Sequence, residues 1–130
     1  MLVIKEAQIQ AFIASNDAEL CRVVSDATRE ACPERVKGYG DEKLDRMAMN
    51  AVLRARKRGL EKAEDISAFA AVMFETSPRF DEQKEIDAVL QDIHYPPAER
   101  FYQLFERVSD AAWAEAERSY DEALWFSENK

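Results

Sequence analysis

The sequence predicts an all-α fold: a single domain over residues 1–130, built as a bundle of five or six helices with a long C-terminal helix. The chain has only three glycines and four prolines, so its elements run long without interruption. Apolar residues recur at the three- and four-residue spacing of a helix with one buried face. No segment alternates apolar and polar residues convincingly, and we therefore predict no sheet.

Two helices are expected in the first quarter of the chain. Residues 5–14 read as a short helix. A second helix begins after Asn16, which has capping-box spacing with Glu19. It ends at Pro33, because the residue before a proline disfavours helical geometry.

Cys21 and Cys32 are expected to share this second helix. Their separation in sequence would place them about 16 Å apart at the rise of an α-helix. A disulfide needs Cα atoms within about 7 Å, so we expect no bridge. Two small buried apolar residues in a reducing compartment are the expected interpretation.

A third helix is predicted to begin at Asp41 as its cap and to end in a cationic turn. Four of the five residues from Arg54 to Arg58 are cationic, and Gly59 follows where a left-handed C-cap belongs. Cations at a helix C-terminus complement the helix dipole by about 0.3–1 kcal/mol each. We therefore interpret the run first as a helix end, with contact to phosphate or to an acidic protein surface as the alternatives.

Three further helices are predicted in the second half of the chain, over residues 62–75, 81–93 and 97–125. Pro97 suits the first helical position. The last helix would be about 43 Å long and the longest element of the bundle. Its expected apolar stripe consists of Phe101, Leu104, Phe105, Val108 and Ala112.

No catalytic or metal-binding constellation is evident, and we expect neither enzymatic activity nor a cofactor. His94 is the only histidine, and we expect it to cap or pack at a helix end more readily than to act as a general base. Asp81 and Glu85 are i,i+4 neighbours that could hold a hard cation, but the segment lacks the glycine turn of an EF-hand. A solvated acidic face is the preferred interpretation.

The charge balance bounds the partner and the compartment. Net charge is −8 and the pI is about 4.8, whereas nucleic-acid binders usually present a basic field. The N-terminus lacks the basic region and long apolar core of a signal peptide. No stretch reaches the roughly 20 apolar residues of a membrane span. We expect a cytoplasmic protein that binds neither nucleic acid nor membrane.

A line of aromatic residues on the predicted last helix is the candidate partner-binding surface, since Trp and Tyr are favoured at protein interfaces. Its alternative is a central helix buried on two faces. The candidate residues, which include nearby acids, are Tyr102, Glu106, Trp113, Glu117, Tyr120 and Asp121.

The segment RARKRGLEKAEDISAFAAVMFETSPRFDE, residues 54–82, with its flanking segments, resembles a group of small helical proteins encoded beside bacterial type VI secretion effector genes. The resemblance covers about 100 residues and rests on helix caps, turns and core positions. The matching residues are Pro33, Arg58, Gly59, Glu64, Asp65, Ile66, Phe69, Met73, Phe74, Phe80, Asp81, Pro96, Pro97 and Arg100.

The resemblance implies an accessory protein of a secreted effector and identifies no contact residues. An immunity protein that binds and occludes a cognate toxin is the leading expectation. An adaptor or chaperone that loads the effector onto the secretion spike is the alternative. A small nucleic-acid-binding or regulatory domain using Arg54 to Arg58 is a further one. Monomer and homodimer both stay open.

Overall fold

The computed structural model describes residues 17–126, and in this range it is all-helical, with no β-strand. The α-helices are α1 (Asp17–Ala31), α2 (Asp41–Lys57), α3 (Ala63–Glu75), α4 (Lys84–Leu90), α5 (Pro97–Arg107) and α6 (Asp110–Arg118). Two 3₁₀ turns, Phe80–Glu82 and Glu122–Trp125, follow α3 and α6. The predicted all-α class is confirmed. The helix expected at 5–14 and the Asn16 cap lie outside the described residues.

One hydrophobic core joins all six helices. Helices α1, α2 and α3 pack against one another, and α4 packs on α5. Phe69 of α3 is fully buried, with its ring centroid 5.0 Å from that of Phe80 and 5.7 Å from that of Phe101. Burying one such side chain contributes about 1.5–3 kcal/mol, so these three rings hold the two halves of the chain together.

Helix α2 buries one face, but its first turn differs from the prediction. Leu44, Met47 and Val52 on this face are fully buried. Gly40, not Asp41, occupies the N-cap position, and it makes no side-chain capping bond. Asp41 is the first helical residue, and its carboxylate accepts a hydrogen bond of 2.8 Å from Arg29 of α1.

The prediction of a long C-terminal helix is wrong. Helix α5 ends at Arg107, and Val108 is extended, with φ −84° and ψ 133°. Ser109 caps α6 by accepting a hydrogen bond from the backbone N–H of Ala112, 3.2 Å away. Glu85 of α4 accepts from both the backbone N–H and the hydroxyl of Ser109. These bonds satisfy Ser109 in a new N-cap, and the continuous helix is replaced by two.

The helix predicted over 81–93 is shorter than expected. It spans only α4, where the Gln83 side chain caps the N-terminus by accepting from the backbone N–H of Ile86, 3.0 Å away. Ile93, expected in the apolar stripe, lies beyond the helix end and is 84% exposed. Phe105 was likewise expected in the core, and it is 56% exposed.

The C-terminal 3₁₀ turn packs back onto α2 and α3. Trp125 is 1% exposed, and its ring centroid lies 4.4 Å from that of Phe74. The side-chain amide of Asn50 donates a hydrogen bond to the Trp125 carbonyl. Glu122 accepts from the Tyr39 hydroxyl at 2.8 Å. This segment therefore closes one side of the core.

Gly59 is required where the chain leaves α2. Its φ is +94°, which L-residues with a side chain rarely adopt, and this confirms the predicted left-handed C-cap. A Cβ at this position would lie 2.8 Å from both the Cβ and the Cγ of Pro97, the first residue of α5. The glycine thus lets α5 approach the end of α2 closely.

Substituting Gly59 should cost more stability than substituting a glycine with a similar backbone and no neighbour. Gly38 is the matched control, with φ +85° and nothing within 4 Å of an added Cβ. We expect Gly38→Ala to cost about 1 kcal/mol from backbone strain, and Gly59→Ala to cost about 2–4 kcal/mol because the contact with Pro97 adds to it. Urea denaturation measures both free energies of unfolding. Equal losses would contradict the close approach.

Candidate functional site

The cationic turn at the end of α2 belongs to a buried ion-pair network. Asp81 is 1% exposed and bridges two arginines. Its Oδ1 lies 2.7 Å from Nε of Arg54, and its Oδ2 lies 2.8 Å from Nε of Arg58. Two cations separated by one helical turn therefore share a single carboxylate that comes from a later segment of the chain.

Outer contacts complete this network. Arg54 Nη2 lies 2.6 Å from Glu82 Oε2, and Arg58 Nη1 lies 2.9 Å from Asp87 Oδ1. Arg58 Nη2 also donates a hydrogen bond of 2.8 Å to the backbone carbonyl of Asp81. These contacts agree with the interpretation of the cationic turn as a structural helix end. They also include ion pairs that the interpretation from the helix dipole did not predict.

The candidate cation pair Asp81 and Glu85 is not brought together. Asp81 turns toward α2, while Glu85 accepts hydrogen bonds from Ser109 at the start of α6. In residues 17–126 no group of three or more His, Cys, Asp and Glu side chains is arranged to hold a metal ion.

His94 lies in the exposed loop between α4 and α5. Its Nδ1 is 2.8 Å from Oδ1 of Asp92, and the ring packs against no core element, so the expected packing role is wrong. The hydrogen bond from the backbone N–H of His94, followed by those from the His94 and Arg107 side chains, lowers the pKa of Asp92 to about 2.

Both cysteines are free and buried, as predicted. Burial raises the pKa of Cys21. For Cys32, burial and then the hydrogen bond to Glu75 raise the pKa to about 11. Because the thiolate is the nucleophile, these thiols are poorly suited to covalent chemistry near neutral pH.

The aromatic residues predicted to lie along one helix do not form a single line. The predicted helix is interrupted at Val108–Ser109. Tyr120 lies beyond the end of α6, beside Tyr39. Burial, then Glu122 and then Tyr120 raise the pKa of the Tyr39 hydroxyl. Asp121 caps the second 3₁₀ turn by accepting from the backbone N–H of Ala123, 3.0 Å away. Tyr120 and Asp121 therefore take part in the C-terminal closure of the core.

Tyr102 and Trp113 are connected by a chain of ring contacts through Phe101 and Phe105. The Phe105 ring is nearly parallel to the Trp113 ring, at 10°, with centroids 5.8 Å apart. Phe101 lies beneath, 5.0 Å from Tyr102 and 5.5 Å from Phe105. We call the surface formed by Tyr102, Phe105 and Trp113 the aromatic face. It lies on α5 and α6, and it contains two of the three predicted aromatic residues.

Phe105 is the residue of this face that the sequence analysis missed. It is 56% exposed, and Tyr102 is 46% exposed, whereas Trp113 is half-buried and also faces Phe80 at 6.2 Å. The spacing held a signal, since Phe105 follows Tyr102 by three positions and so shares its side of the helix. Phe105 also fits the buried stripe that includes Phe101 and Leu104. The helical period alone therefore could not decide whether Phe105 is buried with that stripe or exposed beside Tyr102.

Two carboxylates lie beside Tyr102 of the aromatic face. The Tyr102 hydroxyl donates a hydrogen bond of 2.8 Å to buried Asp65 in the first turn of α3. Burial, then Asp65 and then Glu64 raise the pKa of Tyr102 to about 12. Glu106 and Glu117, two of the predicted contact residues, are exposed on α5 and α6.

Comparison with family models, with curated proteins and with solved structures found no match to this chain. Among the helices of residues 17–126, none combines the length and the apolar character needed to cross a membrane.

Removing the charge of Asp81 should destabilise the fold strongly. Asp81→Asn removes the one buried carboxylate of the network and leaves Arg54 with the half-exposed Glu82, and we expect a loss of about 3–5 kcal/mol in the free energy of unfolding. Asp87→Asn, which removes a more exposed partner of Arg58, should cost no more than about 1 kcal/mol. Chemical denaturation of both variants tests this. A loss for Asp81→Asn no larger than that for Asp87→Asn would contradict a structural role for the bridge.

The Tyr102 hydroxyl should stay protonated well above pH 10. Burial, then the hydrogen bond to Asp65 and the charges of Asp65 and Glu64, raise its pKa to about 12. In the Asp65→Asn variant we expect this pKa to fall part of the way toward the ordinary value of about 10, because burial, the largest cause, remains. The ¹³Cζ chemical shift of Tyr102, followed by NMR between pH 9 and 11, measures it. Deprotonation of wild-type Tyr102 near pH 10 would be inconsistent with the hydrogen bond.

Proposed function

We propose that this chain is a non-catalytic accessory protein that binds a cognate effector protein, and that it is the immunity protein of a type VI secretion toxin. The observation that carries the binding proposal is the aromatic face. Tyr102 and Phe105 are about half exposed there and both pack on buried Phe101, and the Phe105 ring also stacks on that of Trp113. Exposed aromatic clusters mark interaction sites, and Tyr and Trp are enriched among the residues that dominate binding energy.

The toxin assignment rests on the resemblance of residues 54–82 and their flanks to proteins encoded beside type VI effector genes. An immunity protein of this kind acts in the cytoplasm by stoichiometric occlusion of the toxin. It needs shape and charge complementarity and no catalytic group. The adaptor alternative uses the same binding face, but it predicts that loss of the protein blocks effector delivery and leaves self-protection intact.

The nucleic-acid alternative is less favoured by the geometry of the cationic turn. Two of its four cations, Arg54 and Arg58, hold Asp81, Glu82 and Asp87 at short distances. Phosphate contact by these guanidinium groups would require breaking internal ion pairs. An acidic chain with its basic run engaged in this way is better suited to a basic protein partner.

Truncating the aromatic face should weaken effector binding and protection together. We expect Phe105→Ala to lower affinity for the effector encoded beside the gene by about tenfold to a hundredfold. Leu53→Ala, which removes a 45% exposed apolar side chain from α2, is the matched control and should leave affinity unchanged. Calorimetry on the purified pair measures affinity, and growth of cells co-expressing the toxin measures protection.

Three outcomes separate the readings. Protection by the wild type that is lost in Phe105→Ala supports immunity. Binding without protection, together with failed effector delivery in a deletion strain, supports the adaptor. Absence of binding by the wild type would overturn the proposal. Thermal denaturation of Phe105→Ala controls for loss of the fold.

A further inference from the structure

We infer that the aromatic face receives an arginine or lysine side chain from the partner protein. This inference rests on the proposed function and adds the chemistry of the contact. The receiving surface consists of the exposed Tyr102 and Phe105, with Asp65 and Glu64 beside Tyr102 and the exposed Glu106 next to Phe105 in the chain.

Two other aromatic rings of the same chain have a cation lying against them. The Arg46 guanidinium lies 4.8 Å from the Phe126 ring centroid, and Lys43 Nζ lies 4.3 Å from that of Tyr39. Lys43 also contacts the Glu122 carboxylate at 3.2 Å, so this cation is held by an aromatic ring and an acid together. Among the described residues no cation covers Tyr102, Phe105 or Trp113. The aromatic face therefore offers the same chemistry without the internal cation.

The two arginines of α5 make their contacts with the loop between α4 and α5. Residues 97–126 contain seven carboxylates and three arginines. Arg100 donates a 2.6 Å hydrogen bond to the Tyr95 carbonyl, and Arg107 lies 2.9 Å from Asp92. Both arginines of α5 are thus engaged by the loop between α4 and α5. In these contacts the two arginines do not neutralise the exposed carboxylates of Glu64 and Glu106, which leaves those carboxylates for a basic partner to pair with.

The Tyr102 ring is held in a fixed position. Its hydroxyl is bonded to buried Asp65, and its ring lies edge-on to Phe101, with centroids 5.0 Å apart and planes at 70°. A ring held at both ends loses little freedom when a cation approaches it. Arginine suits the site especially, because its planar group stacks on rings and also forks toward carboxylates.

A titration of the labelled full chain with a small probe tests the inference. The probe is the peptide acetyl-Gly-Arg-Gly-Gly-Arg-Gly-amide, and the control is its citrulline isostere, which keeps the shape and removes the charge. We expect the arginine peptide to shift the ¹⁵N–¹H signals of residues 102–106 and the indole signal of Trp113, and the citrulline peptide to leave them in place. Equal shifts with both peptides, or shifts spread evenly over the acidic surface, would overturn the inference.

Matched charge variants separate a local site from the overall acidity. Glu64→Gln/Glu106→Gln and Glu30→Gln/Glu34→Gln each remove two exposed carboxylates and change the net charge equally. Only the first pair adjoins the aromatic face, and we expect it alone to weaken peptide and effector binding, by about fivefold. Equal weakening by both pairs would overturn the inference.

Failure of the inference and failure of the proposed function are distinguishable. An effector that binds less well to Phe105→Ala but equally well to Glu64→Gln/Glu106→Gln keeps the proposed function and rejects the basic contact. An effector that does not bind the wild type rejects the proposed function, and the peptide titration then decides the cation preference by itself.

Discussion

The carboxylate of Asp81 is the contact on which much of this structure depends. It is buried, and it joins Arg54 and Arg58 of α2 to a 3₁₀ turn that follows α3. The residue before it, Phe80, is thereby placed between Phe69 in the core and Trp113 on α6. A buried charge pair is costly to desolvate and stronger evidence for a specified arrangement than for added stability. Here the arrangement is the path of the chain between α3 and α4.

The break between α5 and α6 is the second constraint, and it creates the candidate site. Glu85 holds Ser109, Ser109 caps α6, and α6 leaves the direction of α5. Trp113 then stacks on Phe105 while also meeting Phe80. The core therefore supports the exposed rings from beneath, and a binding surface supported in this way presents its anchors with little loss of freedom.

The distribution of charged residues relates the fold to the proposed binding chemistry. Six of the cations in the described part of this acidic chain make internal contacts. Arg54 and Arg58 hold the turn at Asp81, Arg100 and Arg107 hold the loop before α5, and Lys43 and Arg46 cover Tyr39 and Phe126. The carboxylates around Tyr102 and Phe105 receive no such cover from these residues. A basic partner is the complement of that distribution.

The sequence by itself determined the helical class and the turn at Gly59, because periodicity and capping act over a few residues. It also identified Tyr102 and Trp113 of the aromatic face. The tertiary structure decided that Asp81 is buried, that Phe105 is exposed and that Tyr120 and Asp121 lie elsewhere. The pairing of Asp81 with Arg54 spans 27 positions, and no local pattern encodes it. The apolar period runs through Ser109, so the sequence predicts one helix over 97–125 where the structure has two, divided at the Ser109 cap and its contact with Glu85.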